Sequence, residues 1–319
     1  MSSSPTVQRS SPPHRVTAAD LFSQAPRRTW WQRTTQVAPV RILLGVLLVV
    51  PATLVEPLVL RPRATGLRLT ASAVAVVLYL ALLAAFARAI ERRRPRELSL
   101  TRALPEWLAG IAGGFLLLAT TVVLLAMGGL YRIGAGGNAW ALVTGLADFG
   151  SQSLLEEILL RGLVFKITEE AIGSRAALGI QAALFGALHL GNPSATIAAA
   201  VAIMLEAGLL LAIAYMVTRR IWLAWGIHLG WNYAQGALFG IRVSGTPVTA
   251  SLLVATPIGP DAITGGSFGV EASPVAVVVC VIAAVLLWQL VLRRGEVVTY
   301  RAQRERVRAL RSGPDRVHA

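Results

Sequence analysis

The segment Ser153-Leu-Leu-Glu-Glu-Ile-Leu-Leu-Arg161-Gly162 places three charged side chains inside an apolar run that extends over residues 139–165. A helix of about 20 apolar residues spans the hydrocarbon core of a bilayer, so this run is long enough to cross it. Ionisable groups at such a depth are costly unless they are paired or hydrated. The segment therefore predicts a transmembrane helix with a functional site inside it.

The composition of the whole chain is that of a membrane protein. Its 319 residues are 55% hydrophobic and 14% charged, with a mean hydropathy of +0.63. A soluble domain of this composition would leave apolar surface facing water. The net charge of +14 would suggest nucleic acid in a soluble protein, but the arginines cluster between apolar runs, which indicates membrane topology and no nucleic-acid partner. A single cysteine, Cys280, excludes a disulfide framework and a cysteine-based zinc site within one chain.

Eight apolar runs approach the length of a membrane span and predict an all-α, polytopic fold. Their approximate bounds are 42–60, 70–88, 107–130, 139–165, 176–191, 195–217, 221–240 and 274–292. We expect a disordered basic tail at 1–38, a transmembrane domain at 39–292 and a basic tail at 293–319. The segment 242–273, rich in Gly, Ser, Thr and Pro, indicates an outer loop.

Arginine clusters orient the predicted spans. They lie in the N-terminal tail, after the second span, after the sixth span and in the C-terminal tail. The positive-inside rule and an even number of spans then predict a multi-pass protein of the cell membrane with both termini in the cytoplasm. Arg61, Arg63 and Arg68 fall in the first outer loop and depart from the rule. The basic residues are 29 Arg and one Lys, a bias that we attribute to a GC-rich bacterial genome.

The two glutamates of the fourth span are expected to have different roles. Glu157 and Arg161 are four residues apart and are expected to form an ion pair on one helix face. Glu156 points about 100° away from Glu157, because each residue turns the helix by that angle. It is therefore left as a partly desolvated carboxylate that is suited to general-base chemistry.

Two later spans supply further polar groups at the same spacing. Phe185 and His189 lie four residues apart in the fifth span, as do His228 and Asn232 in the seventh. An imidazole can relay a proton from water, and an asparagine amide can donate to a developing oxyanion. With Glu156 these side chains predict a hydrolytic site in a water-filled cavity that opens toward the cytoplasm.

Each of these residues taken alone has a structural interpretation. A lone histidine in a span, such as His189 or His228, more often bonds to another helix than takes part in catalysis. Phe185 is interpreted as a packing residue, and Glu206, in the middle of the sixth span, as a structural or cavity-lining group. The conjunction favours a site, because two of the chain's four histidines lie in spans and accompany the double glutamate.

These motifs resemble those of the CPBP family, the CAAX prenyl proteases and bacteriocin-processing intramembrane proteases that are also called the ABI family. Glu156-Glu157-xxx-Arg161 is similar to the family's EExxxR, Phe185-xxx-His189 to its FxxxH and His228-xxx-Asn232 to its HxxxN, in the same order. The resemblance covers residues 150–236, a CPBP-like core. It implies an all-helical fold with about eight spans and an intramembrane endopeptidase acting on a membrane-associated protein or hydrophobic peptide.

The resemblance also implies a role for each motif residue. Glu156 would activate water with His189 assisting, while His228 and Asn232 would stabilise the oxyanion; Glu157 and Arg161 would brace the site. It identifies no substrate-binding residues. Whether a metal is used stays open: Glu156, His189 and His228 could supply three zinc ligands. The lack of an HExxH motif, and the ability of a Glu/His pair to activate water, favour a metal-free glutamate-type protease over a metalloprotease.

Two other functions compete with hydrolysis. The first is a non-catalytic immunity or scaffold protein whose polar core binds a peptide or a partner helix, since a matching site does not identify a substrate. The second is a transporter, which is disfavoured because no inverted repeat is evident in the sequence. In each case membrane lipid surrounds the protein.

Overall fold

The computed structural model describes residues 37–55, 64–135 and 137–300. Most of the predicted N-terminal tail, the C-terminal tail beyond residue 300 and the end of the first predicted span lie outside the described residues. So do Arg61 and Arg63, which depart from the positive-inside rule.

The described chain is mostly helical, and a helix coincides with each predicted apolar run. The helices are α1 (Ala38–Val49), α2 (Thr65–Ala89), α3 (Ala103–Met127), α4 (141–172), α5 (Ser174–Leu188), α6 (Ile197–Thr218), α7 (Ile221–Tyr233), α8 (Asp261–Thr264) and α9 (Pro274–Arg293). Within the described residues, α2, α3, α6 and α9 are long and apolar enough to cross a membrane. The helical class is thus confirmed, whereas eight crossings are not.

Three π-helical stretches interrupt the α-helical geometry near the motif residues. They are Ile158–Phe165 within α4, Met204–Gly208 within α6 and Ala234–Leu238 directly after α7. A π turn inserts extra backbone into a helix, redirects the side chains around it and occurs often at functional sites. Arg161 lies in the first stretch and Glu206 in the second, so both side chains project from a π-helical turn, which is wider than an α-helical one.

Glycines allow α3 and α7 to meet backbone to backbone. Gly110 and Gly114 on α3 face Gly226 and Gly230 on α7, with three residues between the members of each pair. A Cβ atom on Gly114 would lie 2.0 Å from the carbonyl oxygen of Ile227. Paired small residues of this kind permit close approach of membrane helices. The contact holds α7, which carries two predicted site residues, firmly against α3.

Replacing Gly114 by alanine is expected to lower the free energy of unfolding by about 1–3 kcal/mol, because the clash is with backbone that cannot rotate away. Gly113→Ala is the matched control, since its Cβ would meet no atom within 4 Å. That variant should be neutral or stabilise by up to about 1 kcal/mol through its helix propensity. Denaturant unfolding of the purified proteins in micelles measures the free energy of unfolding of both variants. Equal effects would contradict the assigned contact.

One end of the bundle carries a network of buried ion pairs. Lys166 Nζ lies 2.8 Å from Glu91 Oε1 and 2.8 Å from Glu170 Oε1, and Arg41 Nη1 lies 2.7 Å from Glu170 Oε2. Arg41 and Arg93 also pair with Glu91. Burial raises the pKa of Glu91, but the charges of Lys166, Arg41 and Arg93 outweigh it and hold that pKa well below its ordinary value. The pairs join α1, α4 and the segment after α2.

The first residues of the predicted C-terminal tail pack at this same end. The backbone N–H of Ser174 donates to Val298 O at 2.9 Å, and the N–H of Val298 donates to Ser174 Oγ at 2.8 Å. Arg219 Nε lies 3.4 Å from Glu296 Oε2. Residues 295–298 are therefore part of the folded bundle rather than of a free tail.

The opposite end carries a small sheet that the all-α prediction missed. Strand β1 (Tyr131–Ala135) pairs antiparallel with β2 (Leu253–Pro257), with Tyr131 opposite Pro257. Between α7 and α9 the segment expected to be a loop thus contains β2, α8 and a 3-10 turn at Val270–Ala272. More than 100 residues separate the two strands, so no local sequence pattern predicts their pairing.

Candidate active site

The buried centre of the site is an ion pair shared by three residues. Glu157 Oε1 accepts a hydrogen bond from Arg161 Nη1 at 2.8 Å, as the i,i+4 spacing predicts. The same oxygen lies 2.9 Å from His228 Nδ1. The side chains of Glu157 and Arg161 are fully buried. A single carboxylate oxygen therefore fixes both the guanidinium on α4 and the imidazole on α7.

Arg161 also ties α4 to α5 and α6. Its Nη2 donates to the carbonyl oxygen of Ala207 at 2.9 Å, within the π-helical stretch of α6. The guanidinium carbon lies 4.7 Å from the centre of the Phe185 ring on α5, in the geometry of a cation–π contact. These contacts compensate the charge of a fully buried arginine.

His228 and Glu156 face each other across the cavity. Because a carboxylate only accepts hydrogen bonds, Nδ1 of His228 is the protonated nitrogen toward Glu157. His228 Nε2 lies 3.8 Å from Glu156 Oε2, which is longer than a direct hydrogen bond. Gln152 Nε2, one helical turn earlier, lies 3.4 Å from Glu156 Oε1. Glu156 keeps 24% of its side chain exposed, in contrast to Glu157.

His189 stands in the 3-10 turn His189–Gly191 at the end of α5. Its Nδ1 lies 2.7 Å from the carbonyl oxygen of Phe185 and must donate to it, so in the neutral ring Nε2 carries the free lone pair. The ring centre of Phe185 lies 4.7 Å from that of His189 and 6.1 Å from that of His228. Phe185 is buried, as expected of a packing residue, and the groups it packs against are those of the site.

A cavity of about 540 Å³ lies beside these groups. Glu156, His189, His228 and Asn232 all line it, so the structure brings the four predicted catalytic residues to one space. The amide of Asn232 has no hydrogen-bond partner among the described residues and is free to donate into the cavity.

The walls of the cavity lie mainly toward one end of the bundle. Its remaining walls come from the first half of α4, the end of α5 and the residues 243–250, with the ion pair Arg68–Asp148 among them. These elements lie at the end of the bundle opposite the Lys166 network. The loop after α7 forms part of the wall, and the opening toward the cytoplasm stays a prediction.

The three residues considered as zinc ligands do not fit a metal ion. Among the residues that the structure describes, no group of three His, Cys, Asp or Glu side chains could hold one. Nδ1 of His189 is bonded to the carbonyl oxygen of Phe185 and Nδ1 of His228 to Glu157, so only the Nε2 atom of each ring is open. We derive no step through a metal.

Sequence reasoning missed several groups in the site. Gln152 precedes Glu156 by one helical turn, so its spacing was a usable signal. Ser244 and Glu271 come from the segment after α7 and line a smaller adjoining cavity with Glu206. No local pattern points to Ser244 or Glu271, because only the tertiary fold brings that segment over the site.

Comparison with known proteins agrees with this arrangement. Residues 138–234 match the family model described as type II CAAX prenyl endopeptidase Rce1-like. The matched segment contains every motif residue from Glu156 to Asn232. Neither the search of curated proteins nor that of solved structures gave a match. The resemblance drawn from the three motifs is thereby confirmed for residues 138–234, the part of this membrane protein that is similar to the CAAX-type proteases of the CPBP family.

Proposed function

We propose that this protein is an intramembrane endopeptidase that hydrolyses a peptide bond of a membrane-associated protein or hydrophobic peptide. One observation carries the proposal: an accessible carboxylate, Glu156, faces the Nε2 atom of a histidine whose ring is oriented by a second, fully buried carboxylate. A base that lines an accessible cavity and an oriented imidazole beside it are the parts that water activation requires.

The reaction follows from these positions. Glu156 removes a proton from water held between its carboxylate and His228, and the resulting hydroxide attacks the carbonyl carbon of the peptide. Nε2–H of the protonated His228 and the amide of Asn232 donate to the oxyanion. Glu156 then passes its proton to the nitrogen of the leaving amine as the C–N bond breaks. His189, through its free Nε2, holds the attacking water.

Charge balance supports the protonated form of His228. Glu156 and Glu157 contribute two negative charges and Arg161 one positive charge, so a positive imidazolium makes the buried group neutral. A net charge at this depth would be costly. Glu157 and Arg161 thus act as bracing residues that set the orientation and charge of His228.

The size of the cavity limits the substrate. A volume of about 540 Å³ lies within the range of small-ligand sites, ~300–1,000 Å³, and admits a short peptide segment but no folded domain. The scissile bond must therefore enter as an unfolded stretch of chain. This requirement fits a terminal or loop segment of a substrate that is already anchored at the membrane.

The test is cleavage by the purified protein in proteoliposomes that carry fluorescent, membrane-anchored peptides. Wild type is expected to release the label, and Glu156→Gln is expected to release far less. Hydrolysis that is unchanged in this variant would contradict the proposal. A cellular phenotype that persists in Glu156→Gln but is lost in Arg161→Met would instead favour the non-catalytic immunity or scaffold function.

We also propose that both termini lie in the cytoplasm, so that the large cavity faces the other side of the membrane. The charges support this orientation: α2 ends and α3 begins beside an arginine-rich segment, 88–102, at the end that carries the Lys166 network. A thiol reagent that cannot cross membranes is expected to label Thr249→Cys on intact cells and Arg94→Cys only after permeabilisation. The reverse pattern would overturn the orientation.

A further inference from the structure

A second, smaller cavity lies behind the catalytic one. Its volume of about 30 Å³ holds roughly two water molecules. The residues that line both cavities, and so form the shared wall, are Phe185, His189, His228, Asn232 and Ser244. The far wall carries two carboxyl side chains, Glu206 and Glu271. Nothing in the proposed hydrolysis uses either of them.

Glu206 has no compensating charge. It is 2% exposed, in the π-helical stretch of α6, and its Oε2 has no hydrogen-bond partner among the described residues. No lysine or arginine lines the small cavity within the described part of the chain. An ionised carboxylate in this position would be a buried, unpaired charge, which is far more costly than a protonated acid.

Glu271 is the better of the two sites for a negative charge. It is also 2% exposed, but it accepts a hydrogen bond from the backbone N–H of Ser244. Burial raises the pKa of Glu271, and the hydrogen bond from Ser244 and the charge of His189 oppose that rise. Two carboxyls around one small buried cavity cannot both ionise cheaply, so one proton is shared by the pair.

We propose that Glu206 and Glu271 form a proton-sharing carboxyl pair, with the proton on Glu206 and the charge on Glu271, joined by buried water to the shared wall of the catalytic cavity. The other titratable groups that line the small cavity are His189, His228 and Cys280, from the end of α5, from α7 and from α9. From the far side of the shared wall, Glu156 faces the histidines.

The pair acts on the reaction by position, without transferring a net proton. Protonated Glu206 donates a hydrogen bond to water in the small cavity, and this water can in turn form a hydrogen bond with the side-chain amide of Asn232. The negative charge of Glu271 strengthens the hydrogen bond that His189 Nε2 accepts from the attacking water, because both side chains line the small cavity. Glu206 and Glu271 are thus positioning residues, and this part of the inference rests on the proposed function.

Infrared spectroscopy of the full-length protein in lipid vesicles at neutral pH tests the pair directly. A protonated carboxyl absorbs apart from ionised carboxylates and shifts in D2O. Glu206→Gln is expected to remove one protonated-carboxyl band, whereas Glu271→Gln is expected to keep it. Glutamine resembles the neutral acid in shape, so Glu206→Gln should fold. Glu106→Gln, which removes a carboxylate paired with Arg220 outside the site, is the control and should leave the band unchanged.

Two outcomes overturn the inference. A band that persists in Glu206→Gln places the proton elsewhere, and a band that disappears in Glu271→Gln places it on Glu271. In the proteoliposome assay, Glu271→Gln is expected to lower kcat by roughly 10–100-fold, as for loss of a charged contact worth ~1.5–3 kcal/mol. The spectrum does not depend on proteolysis. If the bands change as expected but no cleavage is detected, only the proposed function is contradicted. If cleavage is detected but the bands do not change as expected, only the proton-sharing pair is contradicted.

Discussion

Glutamine in place of Glu156 is expected to lower kcat/KM for peptide hydrolysis by about 10²–10⁴-fold, the contribution of a positioned general base. The free energy of unfolding should change little, because Glu156 is partly exposed in the cavity and makes only a 3.4 Å contact with Gln152 and a 3.8 Å contact with His228. The amide keeps the shape of the carboxyl but cannot take the proton from water. Loss of activity without loss of stability is the expected signature.

The neighbouring Glu157→Gln variant is the sharpest comparison. This change leaves Arg161 and His228 without the carboxylate that both contact, so activity and stability should fall together. Cleavage rates in proteoliposomes and denaturant midpoints in micelles give the two quantities. Glu106→Gln, at the far end of the bundle, should change neither by much. If Glu156→Gln cleaved as fast as wild type, the assignment of the base would be wrong.

Replacing Arg161 by methionine is expected to lower the free energy of unfolding by about 3–5 kcal/mol. The change leaves Glu157 as a buried charge opposed only by His228, and it removes the hydrogen bond to Ala207 and the contact with the Phe185 ring. Lysine at position 161 should rescue little, because a point charge cannot make the same forked contacts. Denaturant unfolding of the purified variants is the measurement.

The double variant Glu157→Gln with Arg161→Met separates structure from chemistry. Removing both charges of a buried pair is far less costly than removing one, so most of the stability should return. Activity should not return, because His228 still lacks the anionic acceptor on its Nδ1. Stability losses that simply add, or activity that recovers, would show that the pair does not act as one unit.

The ion pair in the site was predictable because it depends on local spacing. In a helix, four residues bring side chains to one face, so Glu157 with Arg161 is predicted from the sequence and is present in the structure. Long apolar runs likewise predict helices, and a helix is found at each of them. Fewer of those helices are candidate spans than the runs suggested, because helix length and continuous hydropathy are separate requirements.

Which partner each group meets was decided by the tertiary structure. The sequence indicates that His228 belongs to the site, but only packing of α7 against α4 turns its Nδ1 to Glu157 and its Nε2 to Glu156. α7 is also held against α3, where glycines at 110 and 114 face those at 226 and 230, a match between positions more than 100 residues apart. The same holds for Glu271, which reaches the site from a segment with no motif of its own.

The amino-acid sequence by itself thus determined the helical class, the membrane environment and the side chains that we propose as reactive, since helix period and hydropathy are properties of neighbouring residues. The tertiary structure alone decided the end of the bundle at which the cavity lies, the poor fit of a zinc site and the second carboxyl pair. These features arise from contacts between distant segments, whose distances and angles no local periodicity encodes.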